Sequence, residues 1–140
     1  MTLARWVEGL LLRPGVRVRS AEDLLRRGLR VVNREQGSGS CVVFDQWLRS
    51  LAVPPEKVSG YGRELSTHLA VAEAVAAGFA DLGPGVLPVA RLYGLDFLPL
   101  TEPCYDLVIP RDLADHEPVR VLLEVISPTP AGTTRKLGVR

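Results

Sequence analysis

The chain has 140 residues, a hydrophobic fraction of 46% and a formal net charge of +1. This length fits one ordinary domain, and the composition is sufficient for a core. No apolar run reaches the roughly 18 residues of a membrane span, and the first residues lack the pattern of a secretory signal, so we expect a cytoplasmic protein. In a reducing compartment Cys41 and Cys104 are expected to be free thiols.

Charge is distributed unevenly along the chain. Residues 1–34 contain eight arginines against three acidic residues, which makes this part basic. A basic flank can contact phosphate backbones. These arginines are spread over several predicted elements without interleaved aromatic residues, so we do not expect direct contact with nucleic acid.

Short segments of helical and extended character alternate along the chain. Capping residues and apolar periodicity predict the helices, and β-rich apolar runs predict the strands. The predicted helices cover residues 21–27, 41–51, 68–77, 86–93 and 118–126. The predicted strands cover residues 29–33, 58–62, 95–100 and 104–109, while ADLGPG, residues 80–85, is predicted to be a turn. Alternation with short connections predicts an α/β fold with a mostly parallel sheet that is flanked by helices.

Two junctions between a predicted strand and a predicted helix are candidate binding sites. They are Asn33 to Ser40 and Ser66-Thr67-His68. Ligands of open α/β sheets bind where strand ends meet helix starts, because free backbone N–H groups and helix dipoles converge there. Both junctions offer hydroxyls and amides, with no lysine or carboxylate expected at the centre. This composition favours a compact anion, unless Ser38, Ser40 and Thr67 are ordinary helix caps.

An enzymatic alternative uses Cys41 as a nucleophile and His68 as its base. Against this hydrolase, Cys41 shares a helical face with Phe44 and Leu48, which favours burial and an unreactive thiol. Phosphate-loop, nucleophile-elbow and metal-ligand spacings are absent from the sequence. We therefore expect no catalytic residue, no metal and no cofactor.

Several motifs together resemble a known family. They are RWVEGLLLRPGVRVRSAEDL, RVVNREQGSGS, GYGRELSTHLAVAEAVAAGFADLGPG, GLDFLPL and CYDLVI. In order and spacing they are similar to the periplasmic-binding-protein-like (type 2) domain of the molybdate-binding, molybdopterin-biosynthesis-associated type. The resemblance runs from about residue 5 to residue 137.

The resemblance implies a single lobe of the type 2 periplasmic-binding fold over residues 1–140. Residues 1–19 would form an N-terminal crossover segment, and residues 127–140 a loose tail. Such domains are often fused to a DNA-binding or a biosynthetic domain and are thought to sense a small ligand. The implied function is non-enzymatic binding of an oxyanion such as molybdate or tungstate.

Carried over residue by residue, the resemblance implies a set of ligand-binding positions. The set is Asn33, Gly37, Ser38, Gly39 and Ser40 at the first junction, Thr67 and His68 at the second, and Tyr105 as a wall of the pocket. Three positions depart from the family pattern. Ser40 replaces Thr and keeps the hydroxyl, Cys41 replaces Arg and removes a cation, and Pro84 replaces Leu and stiffens its turn. The lost cation predicts weaker binding or a different ligand.

A single lobe provides only half of a ligand cleft. An alternative to oxyanion binding is therefore a ligand-free interaction lobe, which forms a homodimer or docks on a separate partner lobe, a DNA-binding partner or a biosynthetic partner. Trp6 and Leu10 to Leu12 are the candidate contact residues, unless they belong to the core.

Overall fold

A computed structural model describes residues 1–26 and 28–127. The described residues form two compact units, residues 5–103 and residues 1–4 with 104–127. The single-lobe boundaries 1–140 remain a prediction. The predicted loose tail, 127–140, lies outside the described residues except for Ser127.

The described elements alternate between strands and helices. The strands are β1 (Thr2–Arg5), β2 (Glu8–Leu12), β3 (Asn33–Arg34), β4 (Glu64–Leu65), β5 (Leu82–Val86), β6 (Asp96–Thr101) and β7 (Cys104–Asp106). The α-helices are α1 (Ala21–Arg26), α2 (Gly39–Ser50), α3 (His68–Ala76), α4 (Leu87–Tyr93) and α5 (Glu117–Ile126), with short 3-10 helices at Pro55–Lys57 and Arg111–Leu113. All five predicted helices are present, with ends within two residues of the expected ones.

The α/β class is confirmed, but the central sheet is antiparallel rather than mostly parallel. β2 lies between β5 and β6 and pairs antiparallel with both. Parallel pairing is confined to β3 with β4 and to a bridge between Val31 and Leu82. The prediction failed because an apolar run shows that a strand is buried on both faces, not in which direction its neighbours run.

Residues 1–19, expected as a crossover segment, contain β1 and β2. Leu10, Leu11 and Leu12 are buried in β2, so they belong to the core, which was the alternative weighed against a partner contact. The alternation of side chains along the strand divides the core. Leu10 and Leu12 pack in one cluster with Phe44 of α2, and Leu11 packs in a second with Val71 of α3. Helices therefore cover both faces of the sheet, as predicted.

One strand prediction and one turn prediction are wrong, and the strand predicted over residues 29–33 is present only as β3 and an isolated bridge at Val31. Residues 58–62 form turns, because Gly60 adopts φ +90° and accepts a hydrogen bond from Arg63 N–H at 2.9 Å. Residues 80–85, expected as a turn, supply most of the buried strand β5. The two glycines of β5 allow close packing, since an added Cβ would lie 2.6 Å from Val71 Cγ1 at Gly83 and 2.8 Å from Leu11 Cγ at Gly85.

The smaller unit contains a two-stranded sheet of β1 and β7, and also α5. None of its described residues is buried. Pro118 lies in the first turn of α5, as predicted. In the described part of the chain, no helix has the length and apolar character needed to cross a membrane. Both cysteines are free thiols, with Cys41 buried and Cys104 exposed.

Asp81 anchors the start of β5 through two arginines. Its carboxylate accepts the Arg30 N–H at 2.8 Å and pairs with the Arg13 guanidinium at 2.9 Å. Burial alone would raise the pKa of Asp81, but these hydrogen bonds and positive charges outweigh it and lower the pKa below its usual range. The carboxylate therefore stabilises the fold at neutral pH, and this contribution is lost as the pH falls below about 4 through the folded-state pKa.

Asp81→Asn is expected to lower the free energy of unfolding by about 2–3 kcal/mol at pH 7, because the charge-assisted hydrogen bonds are lost. Urea denaturation at pH 7 and pH 3 measures the free energy of unfolding. The difference in this free energy between variant and wild type should be smaller at pH 3. Asp112→Asn is the control, since Asp112 is exposed. A difference in the free energy of unfolding that stays constant with pH would contradict the stabilising role of the Asp81 carboxylate.

Candidate functional site

The parallel pair of β3 and β4 brings the two predicted junctions together. Asn33 pairs with Glu64 and Arg34 with Leu65. Because the strands are parallel, their carboxyl ends lie at the same edge, and the chain enters α2 after β3 and α3 after β4. We refer to this edge, with residues 33–41 and 66–68, as the junction site.

Arg34 lies at the centre of the junction site, although it is not among the residues predicted from the sequence. Its side chain is only 10% exposed. The guanidinium donates to both carboxylate oxygens of Glu35, at 2.9 and 3.0 Å, and to Ser66 O at 3.4 Å. The expectation of no carboxylate at the centre is therefore wrong. The available signal was an arginine directly after Asn33 at the end of a buried segment.

His68 is the second partner of the guanidinium. Arg34 Nη1 lies 3.1 Å from His68 Nδ1. An arginine can only donate, so Nδ1 accepts and the imidazole is neutral. Burial lowers the pKa of His68, and the positive charge of Arg34 lowers it further. His68 therefore orients the arginine without adding a second positive charge.

Glu35 balances the charge of Arg34. The hydrogen bonds from the guanidinium lower the pKa of the Glu35 carboxyl, so it is ionised at neutral pH. The Glu35 side chain is 44% exposed, whereas that of Arg34 is largely buried. The carboxylate is consequently the movable member of the pair.

The start of α2 combines a capped turn with unused hydrogen-bonding groups. Ser38 is the N-cap, and its hydroxyl accepts from Cys41 N–H at 3.2 Å. Within the described residues, the N–H groups of Gly39 and Ser40 have no acceptor. Ser40 is 4% exposed, and its hydroxyl has no hydrogen-bond partner. Gly37 adopts φ +89° in the preceding turn.

The start of α3 is capped by Thr67. Its hydroxyl accepts from Ala70 N–H at 2.9 Å. Ser38 and Thr67 are therefore helix caps, which was the alternative weighed for them, whereas Ser40 is not a cap.

Asn33 supports the site through the backbone. Its side-chain Nδ2 donates to Tyr61 O at 3.3 Å, and its side-chain Oδ1 accepts from Arg34 N–H at 2.9 Å. Asn33 is 1% exposed, so its side chain fixes the strand end. Tyr105 lies on β7, in the smaller unit, and its role as a pocket wall remains a prediction.

Cys41 has the environment of a core thiol rather than of a nucleophile. It is 2% exposed. Burial raises the pKa of its thiol, and the negative charge of Asp45 contributes to the increase. A nucleophilic cysteine needs a lowered pKa, so these surroundings oppose the Cys-His hydrolase.

Four comparisons place the chain among known proteins. The uncharacterized protein YvgK of Bacillus subtilis (strain 168) is 42% identical over 88 residues, which are 63% of this chain and 29% of that protein. An uncharacterized protein from the region 5′ of a ferredoxin 2Fe-2S gene of Clostridium pasteurianum is 36% identical over 87 residues, 61% of this chain and 77% of that protein.

The third comparison is with a solved structure, the arginine-, lysine-, histidine-binding protein ArtJ from Geobacillus stearothermophilus. It matches with a TM-score of 0.54 and 14% identity, over 89% of this chain and 55% of that structure. This similarity shows the fold. The chain thus spans less than a third of YvgK and about half of ArtJ.

The family comparison covers most of the chain. Residues 1–127 match the model of the PBP superfamily domain. The resemblance to periplasmic-binding-protein-like domains is confirmed at this level, and the chain belongs to the PBP superfamily.

Proposed function

We propose that this domain binds a small oxyanion at the junction site without catalysis, and that molybdate and tungstate are the ligands to test first. The observation that carries the proposal is the contact of the Arg34 guanidinium with the start of α3, at the sheet edge from which α2 also begins. A cation and two helix N-termini at one sheet edge provide full and partial positive charge for one anion.

Binding requires the anion to replace Glu35 on the guanidinium. Glu35 occupies both donors that a bidentate oxyanion would use. Because its side chain is partly exposed, the carboxylate can turn into solvent while Arg34 stays held by Ser66 O and His68. In the family pattern an arginine stands at the position of Cys41, and its positive charge is absent from this chain. Arg34 provides a positive charge at the same site.

The remaining donors of the proposed site come from α2. The N–H groups of Gly39 and Ser40 lie in the first helical turn, where backbone donors point along the axis. The Ser40 hydroxyl is a buried polar group without a partner, which costs stability in the free protein. A hydrogen bond from the Ser40 hydroxyl to the bound anion would explain why this hydroxyl is buried here.

Ser40→Ala should separate binding from stability. We expect about tenfold weaker binding of molybdate, since one hydrogen bond to a charged group is lost. The free variant should be as stable as wild type or more stable, because removal of an unpartnered hydroxyl carries no penalty. Isothermal titration with molybdate and tungstate measures affinity, and thermal melting without ligand measures stability.

Ser38→Ala is the matched control on the same turn. It removes a helix cap and should lower stability by about 1 kcal/mol. Sulfate and phosphate are included to test selectivity. If molybdate and tungstate fail to bind the wild type, or if Ser40→Ala binds them unchanged, the proposed function is wrong.

A second candidate is an interaction lobe that pairs with another copy of the chain. The apolar side chains of Val121, Leu122 and Val125 on α5 are about half exposed, which favours a partner surface. Sedimentation of the intact protein tests this, since a monomer at high concentration would exclude the homodimer. A sensor role and a cytoplasmic location remain parts of the proposal.

A further inference from the structure

Tyr61 lies in the turns at residues 58–62, which contact the end of β3. Asn33 makes two of these contacts. Its backbone N–H donates to Arg63 O at 2.7 Å, and its side-chain Nδ2 donates to Tyr61 O at 3.3 Å. The backbone at Tyr61 is therefore fixed relative to the β3 end of the junction site.

The Tyr61 side chain contacts α2. Its hydroxyl donates to Asp45 Oδ1 at 2.6 Å, and its ring stacks on that of Phe44 with 6.1 Å between the ring centroids. The hydrogen bond to Asp45 raises the pKa of the Tyr61 hydroxyl, and burial raises it further, so the hydroxyl keeps its proton and donates at neutral pH. Tyr61 thus connects the end of β3 to the second turn of α2.

This connection determines where the donors of α2 lie. Gly39 and Ser40 are in the first turn of the helix, and Asp45 is in the second. Five residues of helix span roughly 7.5 Å, and continuous backbone hydrogen bonds keep such a short segment rigid. A fixed position of Asp45 therefore also fixes the N–H groups of Gly39 and Ser40 and the Ser40 hydroxyl relative to Arg34 at the end of β3.

We propose that Tyr61 is a positioning residue of the junction site, which holds the start of α2 at the distance from Arg34 at which one oxyanion contacts both. This inference rests on the proposed function. Tyr61 acts through Asp45 and α2, because its hydroxyl is engaged by the Asp45 carboxylate. Without this link the start of α2 gains freedom, and the bound anion has to order it at a cost in affinity.

The test is isothermal titration of Tyr61→Phe with molybdate and tungstate, alone and combined with Ser40→Ala or Arg34→Lys. Tyr61→Phe keeps the ring and the backbone contacts, and it should bind about fivefold more weakly because the donors of α2 are no longer held in place. In the Ser40→Ala background the loss should be smaller, because one of the positioned donors is absent. In the Arg34→Lys background the full loss should remain, since the Tyr61 hydroxyl does not hold residue 34.

Tyr93→Phe is the matched control. It also removes a tyrosine hydroxyl that donates to a carboxylate, that of Glu73 at 3.1 Å, and neither residue belongs to the junction site. It should bind the anions like wild type, and thermal melting without ligand shows that both variants are folded. Unchanged binding by Tyr61→Phe, or equal losses in the Ser40→Ala and Arg34→Lys backgrounds, would overturn the positioning role alone. Absence of molybdate and tungstate binding by the wild type would overturn the proposed function as well.

Discussion

Arg34→Gln is expected to lower the affinity for molybdate or tungstate about 100-fold or more. The guanidinium is the only full positive charge that contacts both Glu35 and His68 within the described part of the junction site. Hydrogen bonds to charged groups contribute about 1.5–3 kcal/mol each, so the loss of two exceeds the roughly 2.7 kcal/mol of a 100-fold change. Isothermal titration measures the affinity, and thermal melting shows that the variant is folded.

Glu35→Gln is expected to change the affinity of the same site in the opposite direction. Removal of the competing carboxylate should strengthen oxyanion binding by about tenfold, because Arg34 no longer has to release a charged partner. Arg34→Lys keeps the charge but loses the two-pronged geometry, and should bind with intermediate affinity. Wild-type affinity in Arg34→Gln, or weaker binding in Glu35→Gln, would contradict the proposed role of the pair.

The largest expected effect on stability is that of Gly60→Ala. Gly60 has φ +90°, and an added Cβ would lie 2.0 Å from the backbone oxygen of Val31. Strain at positive φ and a clash with backbone act together, so we expect a loss of about 4 kcal/mol or more in the free energy of unfolding. Urea denaturation measures the loss.

Two other glycines separate the causes of this effect. Gly37 has a positive φ but open space around the added Cβ, so Gly37→Ala should cost only about 1 kcal/mol. Gly62 has neither a positive φ nor a close neighbour, and Gly62→Ala should be nearly neutral. Equal losses at Gly60 and Gly62 would show that the close contact with Val31 is absent in solution.

The helices were predictable because their signals are local. Ser38 and Thr67 cap the turns that follow them, and the apolar spacing of α2 and α3 continues without interruption to their ends. β5 was not predictable, because LGPG has the composition of a turn. Its burial depends on Leu11 and Val71, which lie elsewhere in the chain.

The candidate site shows the same division between local and distant information. The two junctions were identified from strand ends and helix starts, but the pairing that joins them was not. The role of Arg34 depends on His68, which lies 34 residues later in the sequence and meets Arg34 only through the β3–β4 pair. The sequence around Arg34 does not indicate such a contact.

The ion pair between Arg34 and Glu35 also determines the concentration range in which an oxyanion would fill the site. Apparent affinity equals intrinsic affinity multiplied by the fraction of molecules in which the arginine is available. Tight internal pairing would leave the site empty at low anion levels and fill it only when the anion is abundant. The half-exposed Glu35 is therefore the position at which substitution would adjust this concentration range while the buried Arg34 stays unchanged.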